Sequence, residues 1–215
     1  MSGFSGMILK PIEKPKVEFE EFMAEVKGVS NVNKIAGTEW FSFTLSLKEP
    51  INLEDKPSRS GAYEYPFISR WGGESFICTS SVREYSSFLI EKLIPSTGLI
   101  FRPQGIDVNG FVKKTTYQPY KYSITSISAR ISTWGAALRS VSFFGEDVTS
   151  SGILIENIEK LNVTSCGVAE ASTSREVVRI GSRGSINFSI ANIQNYNSID
   201  KILKYLKYHN FYLKD

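Results

Sequence analysis

Between Phe41 and Leu47 the chain alternates without a break: Phe41, Phe43, Leu45 and Leu47 are apolar, while Ser42, Thr44 and Ser46 are polar. Successive side chains of a strand point to opposite faces, so this run predicts a strand with one buried face and one wet face. A sheet wet on one side is characteristically antiparallel, because crossover helices cover parallel sheets on both sides. Further strand signals lie at residues 76–78, 99–101, 121–133, 140–144, 163–169, 177–180 and 185–190, rich in Ile, Val, Phe, Tyr, Thr and Ser. Gly181-Ser182-Arg183-Gly184 reads as the tight turn joining the last two. Asn109-Gly110, within residues 106–112, has the composition of a type I′ turn and predicts a further hairpin.

Helical periodicity is scattered among these strands. Phe19, Phe22, Met23 and Val26 fall at i, i+3, i+4 and i+7, glutamates occupy the other faces, and Gly28 supplies a stop. Ser81 and Glu84 have capping-box spacing ahead of a helix over 82–94, with Val82, Tyr85, Leu89 and Leu93 as its buried stripe and Pro95 as its end. Ile155, Ile158 and Leu161 give a weaker helical spacing over 153–161. Asn197 is the expected N-cap of a terminal helix whose apolar face is Ile199, Ile202, Leu203 and Leu206. Strand and helix signals do not alternate as βαβ units. The expectation is a β-rich α+β fold with antiparallel strands, hairpins and three or four helices, including a C-terminal amphipathic one. Residues 1–16, with Pro11, Pro15 and mixed charge, read as an extended N-terminal arm, and 17–215 as a single domain. Residues 50–62 lack periodicity and read as a long exposed loop.

The composition, 41% hydrophobic and 22% charged, is that of a chain able to bury a core, which excludes global disorder. No apolar run approaches the ~20 residues of a spanning helix, and Met1 to Gly6 lack a charged and an apolar leader region. A soluble, cytoplasmic protein with no membrane contact and no Sec-type secretion is therefore expected. Cys78 and Cys166 sit in apolar or small-residue settings that suit buried, reduced thiols.

Several chemistries lack their residues. A single histidine, His209, leaves one candidate base for a Ser-His or Cys-His nucleophile system and too few ligands for a Cys/His zinc site. Neither of the two common glycine-rich phosphate loops occurs, and no cofactor is expected. Asp107, Glu146 and Asp147 are acidic residues near strand ends and define one alternative, a metal-dependent hydrolase. Residues 1–99 carry a net −2 and residues 100–215 a net +5, so an anionic partner would meet the second half. There Lys113, Lys114, Arg175, Arg179, Arg183, Lys201, Lys204 and Lys207 are interleaved with Tyr117, Tyr120, Tyr122, Tyr205 and Tyr208. Bases stack on aromatics while lysine and arginine hold phosphates, which makes a nucleic-acid-binding module the other alternative. No motif is specific enough to tie the chain to a family. The leading expectation is a non-enzymatic structural or interaction subunit of a larger assembly, meeting protein partners or its own copies through the arm and exposed β-edges.

Overall fold

The computed structural model describes residues 2–12, 18–72, 75–117, 122–131, 140–170, 176–190 and 193–213. Its contacts group the chain into two units, Met1–Gln104 and Gly105–Asp215. Unit 1 contains β1 (Ser2–Pro11), α1 (Phe19–Glu25), β2 (Val29–Lys34), β3 (Trp40–Leu47), β4 (Tyr63–Gly72), β5 (Ser75–Ser80), α2 (Arg83–Phe88) and β6 (Phe101–Pro103). Unit 2 contains α3 (Val108–Tyr117), β7 (Tyr122–Ile131), β8 (Ser140–Phe144), α4 (Gly152–Asn157), β9 (Leu161–Glu170), β10 (Val178–Gly181), β11 (Ser185–Ile190) and α5 (Ile193–Tyr208). The fold is the expected β-rich antiparallel α+β arrangement with a C-terminal helix, and α3 raises the described helices to five. No described helix is long and apolar enough to cross a membrane.

In unit 1 the strands run in the order β2-β3-β4-β5-β1, with β6 on the far side of β1. The alternation at 41–47 is realised in β3, where Phe41, Phe43 and Leu45 are buried. Phe19, Phe22 and Met23 of α1 are buried in the same core, and Gly28 follows at φ +86°, a conformation glycine adopts without the Cβ penalty. The segment expected as an arm is extended, but it is a sheet strand: β1 pairs with β5 and β6, and Ile8 and Leu9 are buried. β4 carries Pro66, which sits one residue past its ladder with β5, so the missing proline N–H removes no bond on that side.

The capping box does not form. Val82 occupies the N-cap of α2 without a side-chain cap, and the chain continues through a wide turn over Leu89–Leu93 before Pro95 enters a 3-10 turn at Ile94–Thr97.

The loop between β3 and β4 is tethered. Asp55 accepts hydrogen bonds from the Tyr65 hydroxyl (2.8 Å), the Tyr85 hydroxyl (2.5 Å) and the Asn52 amide (2.8 Å), and the Ile51 amide donates to the Tyr65 oxygen (2.9 Å). Desolvation pulls the Asp55 carboxyl upward, yet the bonds from Tyr85, Asn52 and Tyr65 together hold it below its ordinary value. Its bond to Asp55, followed by burial, pushes the Tyr85 phenol up to about 12. A carboxyl depressed in the fold stabilises it above the unfolded carboxylate pKa of about 3.9 and loses that contribution as pH falls through the folded value. Amide hydrogen exchange at Ile51 and Asn52, corrected for intrinsic rate, should therefore lose protection on acidification; Asp55→Asn should show reduced protection at neutral pH and no such acid step. Protection in the variant equal to wild type would remove the tether.

In unit 2 the order is β11-β10-β9-β7-β8. One sheet face is apolar: Ile124, Ile127, Val163, Cys166, Val168, Ile180 and Ile186 are buried, together with Phe111 and Val112 of α3 and Ile199, Ile202, Leu203 and Leu206 of α5. Asn197 lies inside α5, which begins at Ile193, so the expected N-cap is a helix-interior residue. The expected hairpin at Asn109-Gly110 is corrected to the first turn of α3. Asp107 Oδ1 accepts from the Gly110 amide (2.8 Å) and Phe111, Val112 and Thr115 bury one helical face, which outweighs the turn preference of the dipeptide. In the short helix α4 the buried residue is Leu154, with Ile158 after it, whereas Ile155, expected in the stripe, is exposed. Cys78 and Cys166 are free and buried; burial pushes the Cys78 thiol up to about 12 and Cys166 also upward.

Candidate functional site

The outer face of the unit 2 sheet is built in rows. Pairing registers align Phe144 of β8, Ser126 of β7, Gly167 of β9, Arg179 of β10 and Asn187 of β11 in one line across five strands. Two residues along, Ser142, Ser128, Ser165 and Gly181 form a second line, and Ser140, Arg130 and Asn162 begin a third. α3 and α5 bury their apolar stripes with the opposite face; on this one Ser140, Ser142, Arg130, Asn162 and Asn187 are exposed, while Ser126, Gly167 and Gly181 are buried. Phe144 is the exception in chemistry, an aromatic ring left 71% exposed.

At the centre of the first row a carboxylate gathers three donors, while the buried Arg179 Nε has no hydrogen-bond partner among the described residues. Glu176 Oε2 accepts from Ser126 Oγ (2.9 Å), Thr125 Oγ1 (3.2 Å) and Arg179 Nη2 (3.2 Å), and the same arginine nitrogen donates to Ser126 (3.2 Å). Gly167 makes room for this: a Cβ there would lie 1.8 Å from Glu176 Oε2 and 2.4 Å from Ser126 Oγ. The network is an internal ion pair with two hydroxyl supports, and it neutralises Arg179.

The other residues of the expected basic surface divide between elements. Lys113 pairs with Glu159, whose carboxyl that hydrogen bond holds below its ordinary value, and Tyr117 donates to the same carboxylate (3.3 Å). Lys201 pairs with Glu170 at 3.5 Å. Lys114 Nζ lies 3.1 Å from His209 Nδ1 and 5.7 Å from the Phe211 ring centre, which joins the C-terminal half of α3 to the end of α5. Lys204, Lys207 and Tyr208 are exposed on α5, and Arg183 is exposed in the β10–β11 turn. Arg175 lies outside the described residues. The helix-borne lysines and Arg179 therefore stand on opposite sides of the sheet, so the expected set is two surfaces.

No family model and no curated protein matches the chain.

Of the acidic residues of the hydrolase alternative, Asp107 and Asp147 serve as local caps, and Glu146 is exposed. Asp107 caps α3, and Asp147 accepts from the Thr149 amide (3.1 Å) and hydroxyl (2.6 Å) at a single 3-10 turn. Among the described residues, no group of three or more His, Cys, Asp or Glu converges as a metal site.

Among the strands at the ends of these two orders, β2 and β8 differ. β2 is broken by a register shift between Ser30 and Asn33, with Asn31 at φ +53°, and closes on Lys34. A bulge and a lysine are the ordinary devices that stop an edge from accepting another strand. β8, Ser140-Val141-Ser142-Phe143-Phe144, has neither charge nor proline nor bulge, and among the described residues its one ladder is with β7. Sequence reading found the strand but not its place, because edge position is a property of topology.

Proposed function

We propose that this chain is a non-enzymatic interaction subunit whose partner contact is made along the edge of β8 that carries no ladder among the described residues. The observation that carries the reading is the contrast between two end strands: β2 is bulged and carries Lys34, while β8 keeps an unbroken register, is uncharged and bears the exposed Phe144. Unpaired backbone N–H and C=O groups along such an edge are satisfied by strand addition, and alternate side chains set specificity. The expected contact through residues 1–16 is set aside, since residues 2–11 are already committed to the unit 1 sheet.

The competing reading is a nucleic-acid module, and the feature that favours it is the end of α5, where Lys204, Lys207 and an 81% exposed Tyr208 adjoin Lys114 and His209. One measurement separates the two: solution mass by light scattering, with and without a mixed-sequence single-stranded oligonucleotide, at low and moderate salt. The interaction reading expects a defined oligomer indifferent to the oligonucleotide. A monomer that takes up oligonucleotide at low salt and releases it as salt rises would overturn the reading and move the site to Lys114, Lys204, Lys207 and Tyr208.

A further inference from the structure

We infer that the strand added to β8 is β8 of a second copy of this chain, paired antiparallel about a two-fold axis at Ser142. The inference rests on the interaction reading above and names its partner. A two-fold interface must be complementary to itself, and a strand lying on such an axis places its central residue opposite its own copy. In β8 that residue is Ser142, whose hydroxyl lies 3.4 Å from Ser128 Oγ in its own chain and, with one donor and two acceptor sites, can also bond its copy.

The flanking positions then match. Antiparallel pairing about Ser142 sets Val141 opposite Phe143 of the second copy, and Ser140 opposite its Phe144. Val141 and Phe143 are half-buried on the apolar side of the sheet, and a facing Phe and Val would complete the burial of both. On the outer side, Arg130 pairs with Ser140 and is exposed. The second copy's Phe144 would be two strand spacings from Arg130, about 10 Å between Cα atoms, with one small serine between them. An extended arginine reaches over a serine to an aromatic face at that distance, a cation–π contact that symmetry makes twice. The exposure of Phe144 acquires a purpose in this arrangement. No charged residue of β8 meets its own copy, so the repulsion that charged edges use against self-pairing is missing.

The test uses charge at the axis. Ser142 is exposed, so Ser142→Lys and Ser142→Glu leave the fold of the subunit intact while each places like charges opposite one another in the homodimer. Light scattering across the micromolar range should give a wild-type dimer, a halved mass for each variant alone, and a restored dimer on mixing the two variants in equal amounts. Phe144→Ala should raise the dissociation constant at least about tenfold, the scale of a desolvated aromatic and cation–π contact. Circular dichroism identical to wild type confirms that each variant is folded. An oligomer whose mass ignores Ser142→Lys overturns β8 self-pairing and leaves the interaction reading standing. A monomer indifferent to oligonucleotide also overturns self-pairing, whereas a monomer that binds oligonucleotide in a salt-dependent way overturns both.

Discussion

Gly6→Ala should be among the most destabilising single-methyl additions in this protein, costing about 3 kcal/mol or more, at or beyond the upper end of ordinary overpacking. A Cβ at residue 6 would lie 1.9 Å from the Cys78 carbonyl oxygen and 2.7 Å from the Thr79 Cα. Both obstacles are backbone, so no rotamer change relieves them. Nor can β5 retreat, since it is paired through residues 75–80 with β4 on its other side. Gly3→Ala is the matched control, because nothing lies within 4 Å of a Cβ there and the loss of unfolded-state entropy alone should be neutral or slightly stabilising. Denaturant midpoints followed by tryptophan fluorescence would compare the two, in a Trp134→Phe background that leaves Trp40 and Trp71, both in unit 1, as reporters. A Gly6→Ala midpoint equal to wild type would mean that β1 does not approach β5 this closely. The same close approach changes what an N-terminal truncation reports: removing residues 1–16 deletes a sheet strand with buried Ile8 and Leu9, so the expected result is loss of the unit 1 fold.

Why β1 was unreadable as a strand is visible in its residues. Ser2 to Gly6 alternate small residues around one phenylalanine, and Pro11 follows closely, so neither hydrophobic period nor β-branched content marks it. Its strand state is imposed by pairing on both sides, which is tertiary information. β2 and β4 were hidden in the same way, by four polar residues among six and by Pro66 with Glu64 and Arg70 respectively. Where the pattern was strong it translated directly: the alternation of β3, the α1 stripe and the Ile199, Ile202, Leu203 and Leu206 face of α5 all bury as their periods require. Asn109-Gly110 failed for a specific reason. A local turn preference of this kind yields when a capping aspartate stands three residues before the glycine and the next turn has an apolar face to bury. For the candidate site, Arg179 was legible as a candidate and Phe144 only as the end of an expected strand, and their alignment was not legible at all. The row from Phe144 to Asn187 depends on four registers, and one of them, between β7 and β9, is shifted twice, between Ile124 and Ser126 and between Ser128 and Ala129. A register shift reverses which face every later residue occupies, and it leaves no local trace in composition.

The second large effect is expected at Phe22, where truncation to alanine should cost about 3–5 kcal/mol. Phe22 is fully buried and its ring stacks on Trp71, with centroids 5.5 Å apart and planes 24° from parallel, while Phe76 meets it edge-on at 6.4 Å and Phe101 at 6.2 Å. These rings come from α1, β4, β5 and β6, so one side chain joins a seven-residue helix to three strands. A helix that short has little stability of its own and is held by its packed face. Removing the ring therefore leaves a cavity lined by aromatics too large and too constrained to collapse into it, and loosens α1 together with the sheet. Phe22→Leu, which keeps most of the volume, should cost roughly 1–2 kcal/mol. A double-mutant cycle with Trp71→Leu should return a coupling of about 0.5–1.5 kcal/mol for the stacked pair. Tyr208→Ala, at an exposed position of α5, should stay within about 0.5 kcal/mol of wild type. Equal small effects at Phe22 and Tyr208 would place α1 outside the core. A large Phe22→Ala cost with no Phe22–Trp71 coupling would assign its role to apolar burial alone.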